Sequence, residues 1–141
     1  MPWDGTPGHG FTSGRPWLPF PADAAVRNVA AQAADPDSVL ACYQRLLRVR
    51  RELAPLNAGS FDWIDSGHPD VLAWERRHDD ERALVLLNVS SADLVATPRG
   101  GADVGWIPLA GTYRDLPSPF REGAAVRLRP LEGLIGVPGG G

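Results

Sequence analysis

Three histidines and one cysteine are the first side chains in this sequence that could bind a metal. His9, Cys42, His68 and His78 lie far apart, and their spacing contains neither a C-x-x-C nor an H-x-x-x-H pair. Zinc sites usually show such spacings, because ligands close in sequence share a turn or a helix face. We therefore predict no metal site and no cofactor, and we interpret Cys42 as a small apolar residue on a helix face.

Carboxylates are the second group of side chains that could do chemistry. Asp79, Asp80 and Glu81 lie between two predicted strands, which favours a solvated turn over a cation site. Glu75 and Glu132 could be a pair of glycosidase acids, which need a separation of about 5–9 Å across a sugar-sized cleft. Strand residues of a small β-domain seldom form such a cleft. We therefore do not predict Glu75 and Glu132 as a catalytic pair.

The opening segment, MPWDGTPGHGFTSGRPWLPFP, combines aromatic rings with polar side chains. The rings are Trp3, Phe11 and Trp17, and the polar groups are Asp4, His9 and Arg15. This combination suits a sugar, whose C–H face stacks on a ring while its hydroxyls take hydrogen bonds. The rings could equally anchor a long loop to a protein body. No regular period is visible, so we expect either a disordered tail or a loop that depends on a larger body.

Composition favours a small globular protein. The chain has 141 residues, 43% of them hydrophobic and 22% charged, with a net charge of -3. These values are typical of one domain, or of one small domain with an appendage. The scattered arginines give no nucleic-acid footprint, and no apolar run of about 20 residues could span a bilayer. With one cysteine and no secretory signal pattern, we expect a cytoplasmic protein that binds neither nucleic acid nor membrane.

The sequence predicts a loop, then one helix, and then a series of short strands. After a loop over 1–34, the segment DPDSVLACYQRLLRVRREL has helical spacing and predicts one amphipathic helix at about 36–53, with Asp35 as its N-cap. Pro55 is expected to stop this helix. From residue 58 the period changes to two and predicts five to seven short strands of an antiparallel sandwich. The predicted strand segments are GSFDWI, DVLAWERRH, ERALVLLNVS, GTYRDL and AAVRLRPLEGLIGV.

Two further expectations concern these elements. HDDER at 78–82 is a suitable hairpin connection, and LVLLNV is expected to be buried on both faces. The apolar face of the single helix needs a partner, because burying about five large apolar side chains represents on the order of 10 kcal/mol. That partner could be the β-domain or a larger domain outside this chain.

Taken together, these segments resemble the C-terminal end of glycoside hydrolase family 13 α-glucosidases. The branch is that of oligo-1,6-glucosidase, maltase and trehalose synthase. The opening MPWDGTPGHGF, the following PWLP, the helix segment, APLNAGSFDWI and the ending VRLRPLEGLIGV all contribute to the resemblance. The residues that match the family helix pattern in order and spacing are Gln32, Asp35, Pro36, Ser38, Leu40, Tyr43, Leu46 and Arg50.

The resemblance implies a mainly β fold in which residues 1–57 are the remnant of a (β/α)8 barrel and residues 58–141 form a C-terminal β-sandwich. It implies a retaining α-glucosidase that acts on oligosaccharides, with the missing N-terminal barrel as partner. The family's nucleophilic aspartate and acid/base glutamate would precede Met1. We therefore expect an inactive fragment of the intact enzyme, with Trp3 and Asp4 near its substrate entrance.

A non-catalytic module is the alternative interpretation. Such a module would bind carbohydrate or dock on a separate barrel chain. Trp63, Trp74 and Trp106 would form its platform if at least two of them shared one exposed face. Strand alternation places Leu72 and Trp74 on the same side, which favours core packing instead.

Overall fold

The computed structural model describes residues 1–100 and 104–139. The chain forms two compact units, Met1–Arg45 and Leu46–Gly141. In the described residues the helices α1, α2 and α3 are Val29–Ala34, Val39–Glu52 and Ala54–Ala58. The strands β1 to β8 are Asp62–Trp63, Val71–His78, Glu81–Asn88, Leu94–Ala96, Gly105–Gly111, Phe120–Arg121, Val126–Leu128 and Gly133–Pro138. None of these helices is long and apolar enough to cross a membrane.

The opening segment is an ordered loop that is tied to α1. The backbone amide of Trp3 donates to the His9 carbonyl at 2.8 Å, which closes the loop on itself. The amides of Val29 and Ala30 donate to the carbonyls of Pro2 and Trp3 at 3.2 and 2.9 Å. These two amides belong to the first turn of α1, where N–H groups have no partner within the helix. The loop therefore satisfies the start of α1, and the expected disordered tail is not observed.

The loop is also shorter than predicted, because α1 begins at Val29 and the expected loop runs to residue 34. Asn28 starts this helix, since its Oδ1 accepts a hydrogen bond from the Ala31 amide at 2.9 Å. Its Nδ2 donates to the carbonyls of Ala24 and Ala25 at 3.2 and 3.0 Å. A short helix with one cap residue and no apolar period gives no clear sequence signal.

Helix α2 confirms the predicted amphipathic helix with a later start. Ser38, rather than Asp35, caps it, because the Ser38 hydroxyl accepts from the Ala41 amide at 3.1 Å. Asp35 instead accepts from the Asp37 amide at 2.9 Å and closes a turn before the helix. The helix ends at Glu52 ahead of Pro55, and Pro55 then sits at the start of the short helix α3.

One stripe of the apolar face of α2 is uncovered. Val39, Tyr43 and Leu47 are 68%, 64% and 52% exposed and are spaced four residues apart, so they lie in one line along the helix. Val49 is the one buried residue of this helix, and Leu46 packs in the same cluster. The β-domain therefore covers part of the expected apolar face, and this stripe contacts solvent.

Strands β1 to β8 form two antiparallel sheets, which confirms the predicted sandwich. One sheet has six strands in the order β1-β2-β3-β8-β5-β6, and the other pairs β4 with β7. The core between them contains Val71, Ala73, Leu84, Leu86, Ala96, Trp106, Val126, Leu128 and Leu134. The HDDER hairpin is also confirmed, because His78 pairs with Glu81 at the ends of β2 and β3.

The opposite face of the six-stranded sheet holds a second core. Val49 of α2 and Leu56 of α3 pack there with Ala83, Val85 and Ala110. The run Ala83–Leu86 of β3 is buried throughout, because one core lies on each side of it. This confirms the expected burial on both faces for the first three residues of LVLLNV, whereas its last residue, Val89, is 53% exposed.

Two of the predicted strands are wrong in position. GTYRDL is not a strand, and the strand in this region is β5, which ends at Gly111. The segment AAVRLRPLEGLIGV contains two strands, β7 and β8, which are separated by a turn with Leu131 at φ 54°. Strand β5 contains Pro108, a residue that argues against a central strand, and the chain accommodates it beside a bulge between Pro108 and Ala110.

Candidate functional site

The Asp4 carboxylate is held in place by its own loop. Its Oδ1 accepts hydrogen bonds from the backbone amide of Thr6 at 2.9 Å and from the Thr6 hydroxyl at 2.5 Å. The hydroxyl bond, followed by the amide bond, lowers the pKa of Asp4 below its ordinary value, with a smaller contribution from the charge of His9. The carboxylate is therefore ionised at neutral pH with a defined direction.

The turn around this carboxylate contains residues with positive φ, a conformation that favours glycine. Gly10 has φ 64°, and a Cβ at this position would lie 2.7 Å from Asp4 Oδ2. His9 also has a positive φ, 53°, and its Nδ1 lies 3.2 Å from the Asp4 carbonyl. Because a carbonyl only accepts, this contact favours the tautomer with the proton on Nδ1. The GHG sequence at 8–10 therefore positions Asp4.

The aromatic residues of the opening segment separate into two environments. The His9 ring meets Phe20 edge-to-face at 4.5 Å, and Phe11 meets Phe20 at 6.5 Å, so these rings pack within the loop. Trp3 is 50% exposed beside Asp4, whereas Trp17 is 91% exposed. The loop thus carries one half-exposed indole and, at the following residue, one oriented carboxylate, two kinds of group that bind sugars.

The remaining candidate ligands do not assemble into a metal site. Residues 1–100 and 104–139 contain no group of three or more His, Cys, Asp or Glu side chains close enough to hold a metal ion. Asp79 and Asp80 form the β2–β3 turn, and Glu81 is the first residue of β3.

Glu75 and Glu132 are both buried, and each is neutralised by arginine. Glu75 is 1% exposed and pairs with Arg82 at 2.6 Å and Arg77 at 3.0 Å. Glu132 is 3% exposed and pairs with Arg129 at 2.7 Å. The sequence analysis did not predict these ion pairs. An arginine lies two or three residues from each glutamate, and this spacing could have indicated them. The two carboxylates serve separate ion-pair networks.

Comparisons with known proteins decide the family. The alpha amylase catalytic domain family matches residues 1–59. The chain is 31% identical over 135 residues to the oligo-1,6-glucosidase of Heyndrickxia coagulans, which covers 96% of this chain and 23% of that protein. It is 30% identical over 135 residues to the trehalose-6-phosphate hydrolase of Bacillus subtilis, covering 94% of this chain and 24% of that protein.

A solved structure shows the same fold. The trehalulose synthase MutB from Pseudomonas mesoacidophila MX-45 superposes with a TM-score of 0.83 and 29% identity, over 98% of this chain and 24% of that chain. The chain belongs to the α-amylase family, glycoside hydrolase family 13. It corresponds to the C-terminal part of these relatives and spans less than a quarter of the length of each relative named here.

The family match locates the candidate site within this α-amylase-family chain. The matched residues 1–59 include the Trp3–Asp4 loop and all of α1, α2 and α3. The strands of the sandwich follow the match. Trp3 and Asp4 therefore lie in sequence that is similar to a catalytic domain.

Two of the three tryptophans considered above for a platform share a face, and the third is buried. Trp106 is 1% exposed in the core, with the Arg82 guanidinium 5.5 Å from its ring centre. Trp63 and Trp74 do share a face, where their ring centres are 5.7 Å apart, and Phe61 joins them at 4.9 and 5.6 Å. We call Phe61, Trp63 and Trp74 the aromatic cluster.

Proposed function

We propose that this chain acts as the C-terminal part of a retaining α-glucosidase that cleaves α-glucosidic bonds of oligosaccharides. The observation that carries the proposal is the catalytic-domain match over 1–59, together with relatives named as α-glucosidases that match nearly the whole chain. Residues 1–57 would complete the catalytic domain, and residues 58–141 would form the C-terminal domain. The missing N-terminal barrel would be its partner, and the cytoplasm its location.

Retaining hydrolysis needs two carboxyl groups about 5–5.5 Å apart, one as nucleophile and one as acid and base. The buried glutamates of the sandwich are each tied to arginines and offer no such pair. The reacting carboxylates would therefore lie on preceding sequence. The chain alone is expected to be inactive.

Within the intact enzyme, Asp4 would bind the substrate rather than react with it. Its carboxylate is ionised and oriented by Thr6, so that it can accept hydrogen bonds from sugar hydroxyls. Trp3, half-exposed beside it, would stack on the C–H face of a sugar ring. We propose that these two residues lie at the substrate entrance.

The first test is to read the nucleotide sequence upstream of the Met1 codon in the same frame and to express both the 141-residue chain and the longer product. With p-nitrophenyl α-glucoside and isomaltose, the longer product should be active and the short chain should not. Hydrolysis by the short chain, or a longer product without glycosidase activity, would overturn the proposal.

Substitution of Asp4 tests the assigned role. Asp4→Asn in the longer product should lower kcat/KM by about 10–100-fold, the equivalent of one charge-assisted hydrogen bond of about 1.5–3 kcal/mol. Asp23→Asn is the matched control, because Asp23 is an exposed carboxylate of the same unit that pairs with Arg27. Equal effects of the two substitutions would remove Asp4 from the substrate entrance.

A further inference from the structure

His9 stands in a run of three residues with a left-handed backbone conformation. Gly8, His9 and Gly10 have φ 83°, 53° and 64°. Glycine takes such angles without strain, whereas a residue with a Cβ takes them at a cost in free energy. The side chain at position 9 is therefore present against the backbone preference of its own turn. Strained positions of this kind cluster at functional sites.

The backbone of His9 closes the turn that carries Trp3 and Asp4. Its carbonyl accepts from the amides of Trp3 and Asp4 at 2.8 and 3.4 Å, and its own amide donates to the Thr6 carbonyl at 2.8 Å. These three bonds need no particular side chain, because every residue except proline has both backbone groups. They hold the turn together, but they give no reason for an imidazole at this position.

Two contacts hold the His9 imidazole in one orientation and leave its Nε2 open. Nδ1 lies 3.2 Å from the Asp4 carbonyl, and the ring meets Phe20 edge-to-face at 4.5 Å. The contact with the carbonyl favours the tautomer with the proton on Nδ1, in which Nε2 is an acceptor. Within residues 1–100 and 104–139 this Nε2 makes no hydrogen bond, and it is not among the buried unpaired atoms. The turn therefore has one nitrogen acceptor that solvent can reach.

The open Nε2 belongs to the turn that also carries the two residues of the proposed substrate entrance. Gly10 follows His9, and a Cβ on Gly10 would lie 2.7 Å from Asp4 Oδ2 and 3.1 Å from Trp3 Cβ. The pKa of Asp4 is lowered mainly by its hydrogen bonds from Thr6, and the charge of His9 adds to this effect, as expected for a ring close to the carboxylate. The turn thus combines an indole, a carboxylate and an uncharged nitrogen acceptor.

We propose that His9 is a third substrate-binding residue of the entrance, and that its Nε2 accepts a hydrogen bond from a hydroxyl of the α-glucoside. The inference rests on the proposed function, in which Asp4 accepts from another hydroxyl and Trp3 stacks on the sugar ring. Sugar hydroxyls donate hydrogen bonds, so two acceptors in the turn that carries the indole suit a sugar with two neighbouring hydroxyls. The imidazole then accounts for a side chain at a position where glycine would be free of strain.

One substitution separates substrate binding by His9 from its structural role in the turn. Asparagine also takes a left-handed φ more readily than most residues, and its side-chain amide can donate to the Asp4 carbonyl in place of Nδ1. Its side chain is too short to place an acceptor where Nε2 lies. His9→Asn therefore keeps the turn and removes the proposed acceptor. Carbon NMR of the Asp4 carboxylate shows whether the turn is kept.

Kinetics with isomaltose in the longer product test the proposal. His9→Asn should raise KM about 3–10-fold with little change in kcat, as expected when one hydrogen bond between uncharged groups is lost from substrate binding. His78→Asn is the control, because His78 ends β2 in the sandwich and its side chain is 38% exposed. This control should leave KM unchanged. An unchanged KM in a His9→Asn variant that keeps the Asp4 signal would overturn the proposal.

Chemical modification tests the same contact without any substitution. Diethyl pyrocarbonate acylates accessible neutral imidazoles, and peptide mass spectrometry reads His9 and His78 separately. The probe is isomaltose with sulfur in place of the glycosidic oxygen, which resists hydrolysis. At ten times its Kd it should slow modification of His9 in the longer product about tenfold and leave His78 unchanged, since about one site in eleven is then empty. A His9 that reacts equally fast with and without this sugar, or that is inaccessible in the sugar-free product, would overturn the proposal.

The activity of the longer product separates this proposal from the proposed function. A product that hydrolyses isomaltose, but whose His9 is neither protected by the thio sugar nor needed for the normal KM, would keep the proposed function and remove His9 from the entrance. A product in which the thio sugar protects His9 but isomaltose is not hydrolysed would keep the sugar contact and count against the proposed function.

Discussion

At the scale of single residues, Asp4 shows how one hydroxyl sets the ionisation of an exposed carboxylate. The Thr6 hydroxyl is the largest cause of its lowered pKa. Thr6→Val should therefore raise the pKa of Asp4 toward the ordinary carboxyl value, as followed by carbon NMR of the carboxylate during a pH titration. Thr12→Val is the control, because the Thr12 hydroxyl accepts a hydrogen bond from the Gly14 amide of the same loop. An unchanged Asp4 titration in Thr6→Val would contradict this assignment.

Glu75 is a buried carboxylate of the sandwich that balances the charge of two arginines. It is 1% exposed and takes hydrogen bonds from the Arg82 and Arg77 guanidinium groups. Glu75→Gln leaves these positive charges beside a neutral amide. Because the Arg82 and Arg77 side chains keep 19% and 48% of their surface exposed, water can solvate part of the charge, and we expect a loss of about 1.5–3 kcal/mol, as for a hydrogen bond to a charged group.

Urea unfolding at neutral pH measures that loss for Glu75→Gln. The control is Glu81→Gln at the exposed start of β3, which should change the free energy of unfolding by less than about 0.5 kcal/mol. If the two variants unfold at the same urea concentration, the Glu75 network does not stabilise the fold.

At the scale of elements, the β2–β3 hairpin tests the link between turn residue and backbone conformation. Asp79 has φ 49°, whereas its neighbour Asp80 is not among the residues with positive φ. Asp79→Ala should destabilise the chain by about 1 kcal/mol, because a Cβ without a locally bonding side chain disfavours this region. Asp80→Ala should stay within about 0.5 kcal/mol of the original chain. Thermal unfolding compares the two, and equal losses would contradict the assigned turn.

The elements that the sequence predicts well are those whose signals are local. Helix α2 has a long apolar period, and the β2–β3 hairpin has alternation on both sides of a short polar turn. The predicted strand positions are wrong where contacts between distant parts of the chain determine the backbone conformation. Tyr113 suggests a strand, yet its hydroxyl donates to the Pro130 carbonyl at 3.2 Å and the Arg129 guanidinium lies 3.8 Å from its ring centre. These contacts hold Tyr113 in a loop, and the sequence around Tyr113 has no pattern that indicates them.

The candidate site was predictable in composition but not in geometry. The motif around Trp3 and Asp4 indicated the family, and the structure gives a half-exposed Trp3 and an Asp4 carboxylate bonded to Thr6 on one loop. The roles of Thr6, His9 and Gly10 were not predictable, because a two-residue hydrogen bond and a positive φ leave no period in a sequence. The aromatic cluster likewise depends on the pairing of Trp63 with Trp74 across two strands.

At the scale of the whole molecule, the two compact units bury very different amounts of apolar surface. Among the described residues, Ala24 is the one buried hydrophobic residue of Met1–Arg45, whereas Leu46–Gly141 contains both cores. Burial of apolar area is the main favourable term in folding. The first unit should therefore open at a lower free energy than the second, as local units of a protein commonly do.

Hydrogen exchange measures this difference directly. In the isolated chain, the α1 amide of Gln32, which donates to the Asn28 carbonyl at 3.0 Å, should exchange at least tenfold faster than the amides of β3. Asn28→Ala removes the cap of α1 at a cost of about 1 kcal/mol, so it should speed exchange in α1 further and leave β3 unchanged. Faster exchange in β3 of this variant would mean that both units unfold in one step. An unchanged β3 would mean that the sandwich keeps its stability when α1 opens, and that the Trp3–Asp4 loop, which is bonded to the first turn of α1, opens separately from it.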